Sequence, residues 1–193
     1  MTELTITEST IFSPEIDWIR KEGFFKNEVI ESTRDEFDDH SKHLLLSFNT
    51  ELVGYVRLTM PPPSVISTWS QGKVQDPYQE NVIEYNRFVI APKWQRLGLP
   101  SVFAAEALLF AYNRGFLYGA ALVDPVVVSP MLLKLGFDIR LADLDVEFMN
   151  HKVKGNLMTM TLEEKIDHIR DYHEKAMSKV HQNQIHVHST LTS

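Results

Sequence analysis

The sequence predicts an α/β (α+β) domain: a mixed, mostly antiparallel sheet flanked by helices. Three observations carry that expectation. Short apolar runs of strand character recur along the chain. Several of them are joined by connections of the hairpin kind, as at Asn49 and Thr50. One long run rich in alanine and leucine, PSVFAAEALLFAYNRG at 100–115, has helix composition and closes on Gly115. Strands interleaved with helices and hairpins imply layers around one core.

The elements follow in order. A short strand is expected near Leu4 to Thr7, then a helix opening at Ser13 and Pro14, with Ile16, Ile19 and Phe24 at roughly helical spacing. Residues 31–42, ESTRDEFDDHSK, form a charged loop or a fraying helix. His43 to Phe48 and Leu52 to Met60 make an antiparallel hairpin, stopped by Pro61, Pro62 and Pro63 because proline cannot donate to a ladder. Residues 64–81 show no periodicity and make a long loop of the kind that covers substrates. Val82 to Ala91 is the strongest strand in the chain, and Leu117 to Val123 is another. A short helix, Pro130 to Leu135, closes at Gly136, and strands are expected at Asp138 to Leu141 and Leu157 to Leu162. Glu163 to about Gln182 is an amphipathic helix with Ile166, Ile169 and Ala176 on its apolar side, followed by a polar tail. The organisation expected is a domain at 1–162 and a C-terminal helix and tail at 163–193.

Composition narrows the function. A 44% hydrophobic and 23% charged chain is ordinary for a globular protein, and a net charge of −7 opposes a nucleic-acid partner. The absence of cysteine excludes disulfides, thiolate metal sites and a cysteine nucleophile. No apolar run is long enough for a membrane span, and MTELTITEST lacks a signal-peptide layout, so a cytoplasmic location is expected. His168 and His173 lie on the last helix, and His181, His186 and His188 in the tail; their spacing forms no ligand set, so no metal is expected.

Chemistry concentrates between the strongest strand and the alanine-rich helix. The connection WQRLGL, residues 94–99, runs straight into Pro100. The amides of Gln95, Arg96, Leu97, Gly98 and Leu99 then stand at a helix N-terminus, where unpaired N–H groups and the helix dipole favour an anion. Gly98 permits close approach of a phosphate, Arg96 and Lys93 can add charge-assisted bonds, and Pro100 lacks only an amide not needed there. The same residues would equally make a plain connection turned by a glycine.

VIAPKWQRLGLPSVFAAEAL resembles the signature of the GNAT superfamily, whose motif is Q/R-x-x-G-x-G/A; Gln95, Gly98 and Pro100 occupy its fixed positions, with proline in place of the small residue. The later LLKLGF, residues 132–137, is similar to that family's helix-to-strand element. A narrower resemblance is to the acyl-homoserine-lactone (autoinducer) synthases, which share the fold, and to N-acyl amino acid synthases. Glu84 to Phe88, EYNRF, is similar to their E-x-S-R-F with Asn86 in the serine position; Arg20 with Phe24, Asp35 with Asp38, and Arg57 in GYVRL match further motifs in order. The tryptophan expected soon after Phe24 is missing.

The resemblance implies the GNAT acyl-CoA N-acyltransferase fold. It implies acyl-CoA or coenzyme A, or an acyl-phosphopantetheine on a carrier protein, as donor, and the amine of a small molecule as acceptor. A GNAT-type strand bulges near Phe88, Val89 and Ile90, which would free an N–H for the thioester carbonyl. Glu84 is the candidate general base, with Arg87 beside it; a salt bridge from Glu84 to Arg57 or Arg87 is the competing reading. Arg57 and Arg87 are candidates for a substrate carboxylate, and Asp35 and Asp38 for a cationic amine, unless those aspartates form a solvated acidic loop. Leu132 stands where the family often has a tyrosine acid, leaving Tyr112 or water for that task. The expected function is N-acyl transfer, with an acyl chain longer than acetyl in view. The alternative is a non-catalytic acyl-thioester-binding module. Oligomeric state is open.

Overall fold

The computed structural model describes residues 2–26, 28–74, 81–148 and 151–191. Its eight strands form one sheet: β1 (Thr2–Ser9), β2 (Ser41–Phe48), β3 (Glu51–Thr59), β4 (Val82–Ile90), β5 (Tyr118–Val123), β6 (Asp138–Phe148), β7 (His151–Thr161) and β8 (Ile185–Ser189). The order across the sheet is β6-β7-β5-β4-β3-β2-β1-β8. Only the β4–β5 and β1–β8 pairs are parallel. The expected mixed, mostly antiparallel sheet is therefore observed.

Five helices cover it: α1 (Pro14–Phe24), α2 (Val65–Trp69), α3 (Leu99–Asn113), α4 (Ser129–Lys134) and α5 (Leu162–Gln182). Ser13 caps α1 by accepting from the Ile16 amide, and Pro14 fills the first turn. On that face Ile16 and Ile19 pack with Leu52, Tyr55 and Val89. On the other face α3 lies between sheet and α5, which is why it is apolar nearly all round. Its Phe103, Leu108 and Phe110 are buried in the main core with Leu4, Val56, Ile83 and Met158. Burying a side chain of that size contributes about 1.5–3 kcal/mol.

Three expected segments differ. The loop after the prolines contains α2, capped by Ser64, whose Oγ accepts from the Ser67 amide; its residues 75–80 lie outside the described residues. The strand expected at Asp138 to Leu141 runs on to Phe148, and its partner starts at His151 instead of Leu157. That outer hairpin is mostly exposed and charged, so it lacks the apolar run that announces a strand. Finally, the polar tail is not all tail: Ile185–Ser189 pairs in parallel with β1 at the sheet edge. An edge strand needs backbone partners more than apolar side chains, and here only Ile185 is buried.

Candidate active site

The site grows from an irregularity in β4. Its pairing with β5 runs only from Val82–Tyr118 to Tyr85–Ala121, after which the ladder between the two strands ends. On the opposite side the register against β3 slips: Tyr55 faces Val89 and Arg57 faces Asn86, so Val56 stands opposite both Arg87 and Phe88. This is a bulge, and Arg87 adopts φ +58 to make it. A left-handed conformation is uncommon for a residue with a side chain. The consequence is a change of face. Asn86 and Arg87 both reach the α1–α2 side, where they bond Arg57 and Asp35, while Phe88 packs on Phe103 of α3. The strict alternation of the sequence is broken where the resemblance implied it. Helix α1 lies against the bulged strand so closely that a Cβ on Gly23 would fall 2.2 Å from Val89 Cγ2.

Beyond Tyr85 an apolar cavity of about 240 Å³ opens. Phe88, Ala104, Ala107 and Leu132 wall it from the α3–α4 side, and Trp69, Phe148 and Phe24 from the other. It passes through the level of the sheet. Met131 also borders a neighbouring groove of about 340 Å³ lined by Gln95, Gly98, Pro100, Ser101, Lys134 and Tyr172. Groove and cavity thus meet along one side chain.

The loop from Pro92 to Leu97 is a 3-10 turn, and Gly98 follows at φ +83 as the N-cap residue of α3. That φ suits glycine because it has no Cβ. Gln95 braces the turn by donating Nε2 to the Ile90 carbonyl at 2.8 Å. Lys93 points elsewhere, to Glu51 at 2.8 Å. Arg96 is exposed and forms no ion pair among the described residues. Val89 packs against α1 and Ile90 into the α3-side core; of the three residues Phe88 to Ile90, Phe88 lines the cavity.

Arg20, Asp35, Asp38, Arg57 and Arg87 come together as one network behind the cavity. Arg20 donates to both Asp38 oxygens, at 2.9 and 2.5 Å, and to the Tyr55 hydroxyl at 2.5 Å. Arg57 bonds Asp38 at 2.9 Å and also Asp35 and Asn86; Arg87 bonds Asp35 at 2.8 Å. His43 Nδ1 meets the Tyr55 hydroxyl at 2.8 Å. Asp38 is completely buried, so the acidic run is not a solvated loop; long-range arginines neutralise it. Burial alone would raise Asp38, but the hydrogen bonds and charge of Arg20, with the charge of Arg57, hold it at about 2. Burial brings His43 down to about 4 and Tyr55 up to about 12. Burial also lowers Arg87 to about 10 against the pull of Asp35, which leaves it cationic at neutral pH.

Glu84 lies on β4 toward α2 and is fully buried. Its Oε1 accepts from Ser64 Oγ at 2.6 Å and its Oε2 from the amides of Val65 at 2.7 Å and Ile66 at 3.3 Å. It therefore caps α2. The ion-pair partners of Arg57 and Arg87 are the two aspartates.

Several site residues carried no sequence signal. Trp69 sat in a loop without periodicity, and Phe148 in a hairpin end read as irregular; Arg87 lies over both rings, 5.2 and 4.4 Å from their centroids. Tyr55 and His43 read as ordinary strand residues. Tyr172 was hidden on α5, yet its hydroxyl bonds Ser101 Oγ at 2.9 Å. Tyr112, named as a possible acid, packs against the main core. Among the described residues no group of three or more metal-ligating side chains occurs, and no helix is long and apolar enough to cross a membrane.

A sheet split beside β4, a bulge at the split and a glycine loop leading into α3 define the GNAT fold. Residues 19–104 match the family model of an acetyltransferase (GNAT) domain. Among solved structures, the chain resembles BjaI, a CoA-dependent acyl-homoserine lactone synthase with SAM and isopentyl-CoA. That match has TM-score 0.68 and 15% identity over 91% of this chain and 90% of that one. It also resembles the acyl-homoserine lactone synthase LasI, with TM-score 0.59 and 16% identity over 84% and 90%. A third is an acetyltransferase of Bacillus subtilis in complex with CoA, with TM-score 0.58 and 12% identity over 82% and 98%. At such identities the likeness is one of fold. No curated protein sequence matches the chain.

Proposed function

We propose that the protein is an N-acyltransferase that moves an acyl group longer than acetyl from a pantetheine thioester to the amine of a small molecule. The observation that carries this reading is the apolar cavity beside the β4 bulge, continuous through Met131 with the groove at Gly98. Donor phosphates belong at the groove, the pantetheine arm along the split between β4 and β5, and the acyl chain in the cavity. The donor is coenzyme A or phosphopantetheine on a carrier protein. The structures of BjaI with isopentyl-CoA and of the Bacillus subtilis acetyltransferase with CoA support the first.

In the reaction the amine nitrogen attacks the thioester carbon, the carbonyl oxygen takes the negative charge, and the carbon–sulfur bond then breaks to release a thiolate. An N–H freed by the bulge among Phe88, Val89 and Ile90 would stabilise that oxyanion. Arg87, cationic on the cavity wall, faces the acceptor. Asp35 and Asp38 spend their oxygens on arginines, which supports a positioning role for them over direct capture of an amine. The geometry likewise supports a positioning role for Glu84 over that of a direct base. Holding the α2 N-terminus sets Trp69 against Arg87.

The test is a melting-temperature titration with coenzyme A and acyl-CoAs of increasing length, followed by thiol release with a panel of amines. A ligand at 100 times its Kd adds about 2.7 kcal/mol of stability. The expected result is a shift that grows from acetyl to medium chains, with turnover on at least one amine. An equal shift for acetyl and longer donors would remove the chain-length reading. Binding without turnover on any amine would favour a thioester-binding module, which Leu132 in the cavity wall keeps open as a second reading.

A further inference from the structure

Helix α5 lies outside the residues that match the family model, yet it forms one bank of the groove. Residues 165, 168, 172 and 179 follow helical spacing on a single flank. The contacts confirm that this flank faces the groove. Lys165 lies beside Gly136, where an added Cβ would meet its Cδ at 3.3 Å. His168 Nε2 is 2.8 Å from the Lys134 carbonyl. Tyr172 reaches Ser101, and the Lys179 stem comes within 3.8 Å of a Cβ built on Gly98. The carboxylates Glu163, Asp167, Asp171 and Glu174 fall on the opposite flank of the same helix. Lys134 and Arg96 stand on the other bank. None of Arg96, Lys134, Lys165 and Lys179 forms an ion pair among the described residues. In a chain of net charge −7 this is a local concentration of uncompensated positive charge.

We infer that the basic flank of α5, with Lys134 opposite it, recognises the nucleotide phosphates of a free coenzyme A thioester. This rests on the acyltransferase reading and deepens it by choosing the donor. Coenzyme A carries a pyrophosphate and a 3′-phosphate, whereas a carrier-bound phosphopantetheine presents one phosphodiester. Four cations spread along both banks suit the polyanion. A single phosphate seated at the Gly98 loop would leave Lys165 and Lys134 idle.

The test is calorimetric titration of the full chain with coenzyme A, 3′-dephospho-coenzyme A and 4′-phosphopantetheine. The wild type is compared with Lys165→Glu/Lys179→Glu and with the milder Lys165→Gln/Lys179→Gln, all checked for unchanged melting. Coenzyme A should bind the wild type most tightly, with an advantage that shrinks as salt rises. The charge reversal should weaken coenzyme A by about tenfold, the glutamine pair by less, and phosphopantetheine by under about twofold. Equal coenzyme A affinity in all three proteins, or equal losses for coenzyme A and phosphopantetheine, overturns the inference while leaving the acyltransferase reading in place. Failure of the wild type to bind any of the three overturns both.

Discussion

On the α1 side of β4, Arg20, Arg57 and Arg87 share two aspartates in a buried, closed network. On the α3–α5 side, Lys134, Lys165 and Lys179 border a groove, and none of them has an ion-pair partner among the described residues. Both regions are rich in positive charge, but they use it differently. Buried charge is tolerable only when paired and hydrogen-bonded, so the first region is stiff and holds the bulge and Arg87 in place. Exposed charge beside open space has no such internal partner and is available to a ligand. The comparison separates what positions the site from what fills it.

The largest effect should come from opening the closed network. Asp38→Asn leaves Arg20 and Arg57 buried without their shared partner and should lower stability by about 3–5 kcal/mol in denaturant unfolding. A loss below about 1 kcal/mol would mean that the network behaves like a surface pair. Acid should probe the same network in two stages. His43 is held neutral, at about 4 against 6.5, so the unfolded chain takes up its proton first. Stability should therefore fall as pH drops from 6.5 to 4, by as much as about 3 kcal/mol, and His43→Gln should flatten that slope. Asp38, depressed to about 2 from 3.8, contributes stability above 3.8 that is lost as pH falls through 2. Denaturation midpoints at pH 7, 5.5 and 4 check the first stage.

Glu84→Gln removes one acceptor from the α2 N-terminus and should cost about 1–3 kcal/mol. With a positioning role, the acid limb of the pH–rate profile stays where it was. A general base would instead lose that limb, with turnover down by about a hundredfold or more. The smallest effect on the fold, and the most selective on function, belongs to the apolar side. Ala107→Leu grows into the cavity and should reduce kcat/KM about tenfold for medium-chain donors while sparing acetyl-CoA. Equal losses for both donors would show that the cavity does not hold the acyl chain.

What was legible in the sequence was what depends on neighbours along the chain. Ser13 and Pro14 opened α1, Asn49 turned the β2–β3 hairpin at φ +55, and Gly98 led into α3, because capping, turning and helix propensity are local. The string at 84–88 flagged the right strand and the Gln95–Pro100 loop the right helix end. What was not legible depended on distant partners. Asp38 read as one charge in an acidic run until Arg20 and Arg57, 18 and 19 residues away, closed over it. Strand β8 had no apolar pattern and exists because β1, at the far end of the chain, offers it a free edge.

By itself, then, the sequence determined the class of layers, the strong central strand, the glycine loop and the family resemblance, since each is written in propensities and short spacings. Only the tertiary structure decided which face Arg87 takes, that Glu84 caps α2, and that α5 brings its lysines to the groove. It alone decided that a cavity opens where β4 and β5 part. A side chain's role there follows from what packs against it, and an empty volume has no residues of its own to be read from.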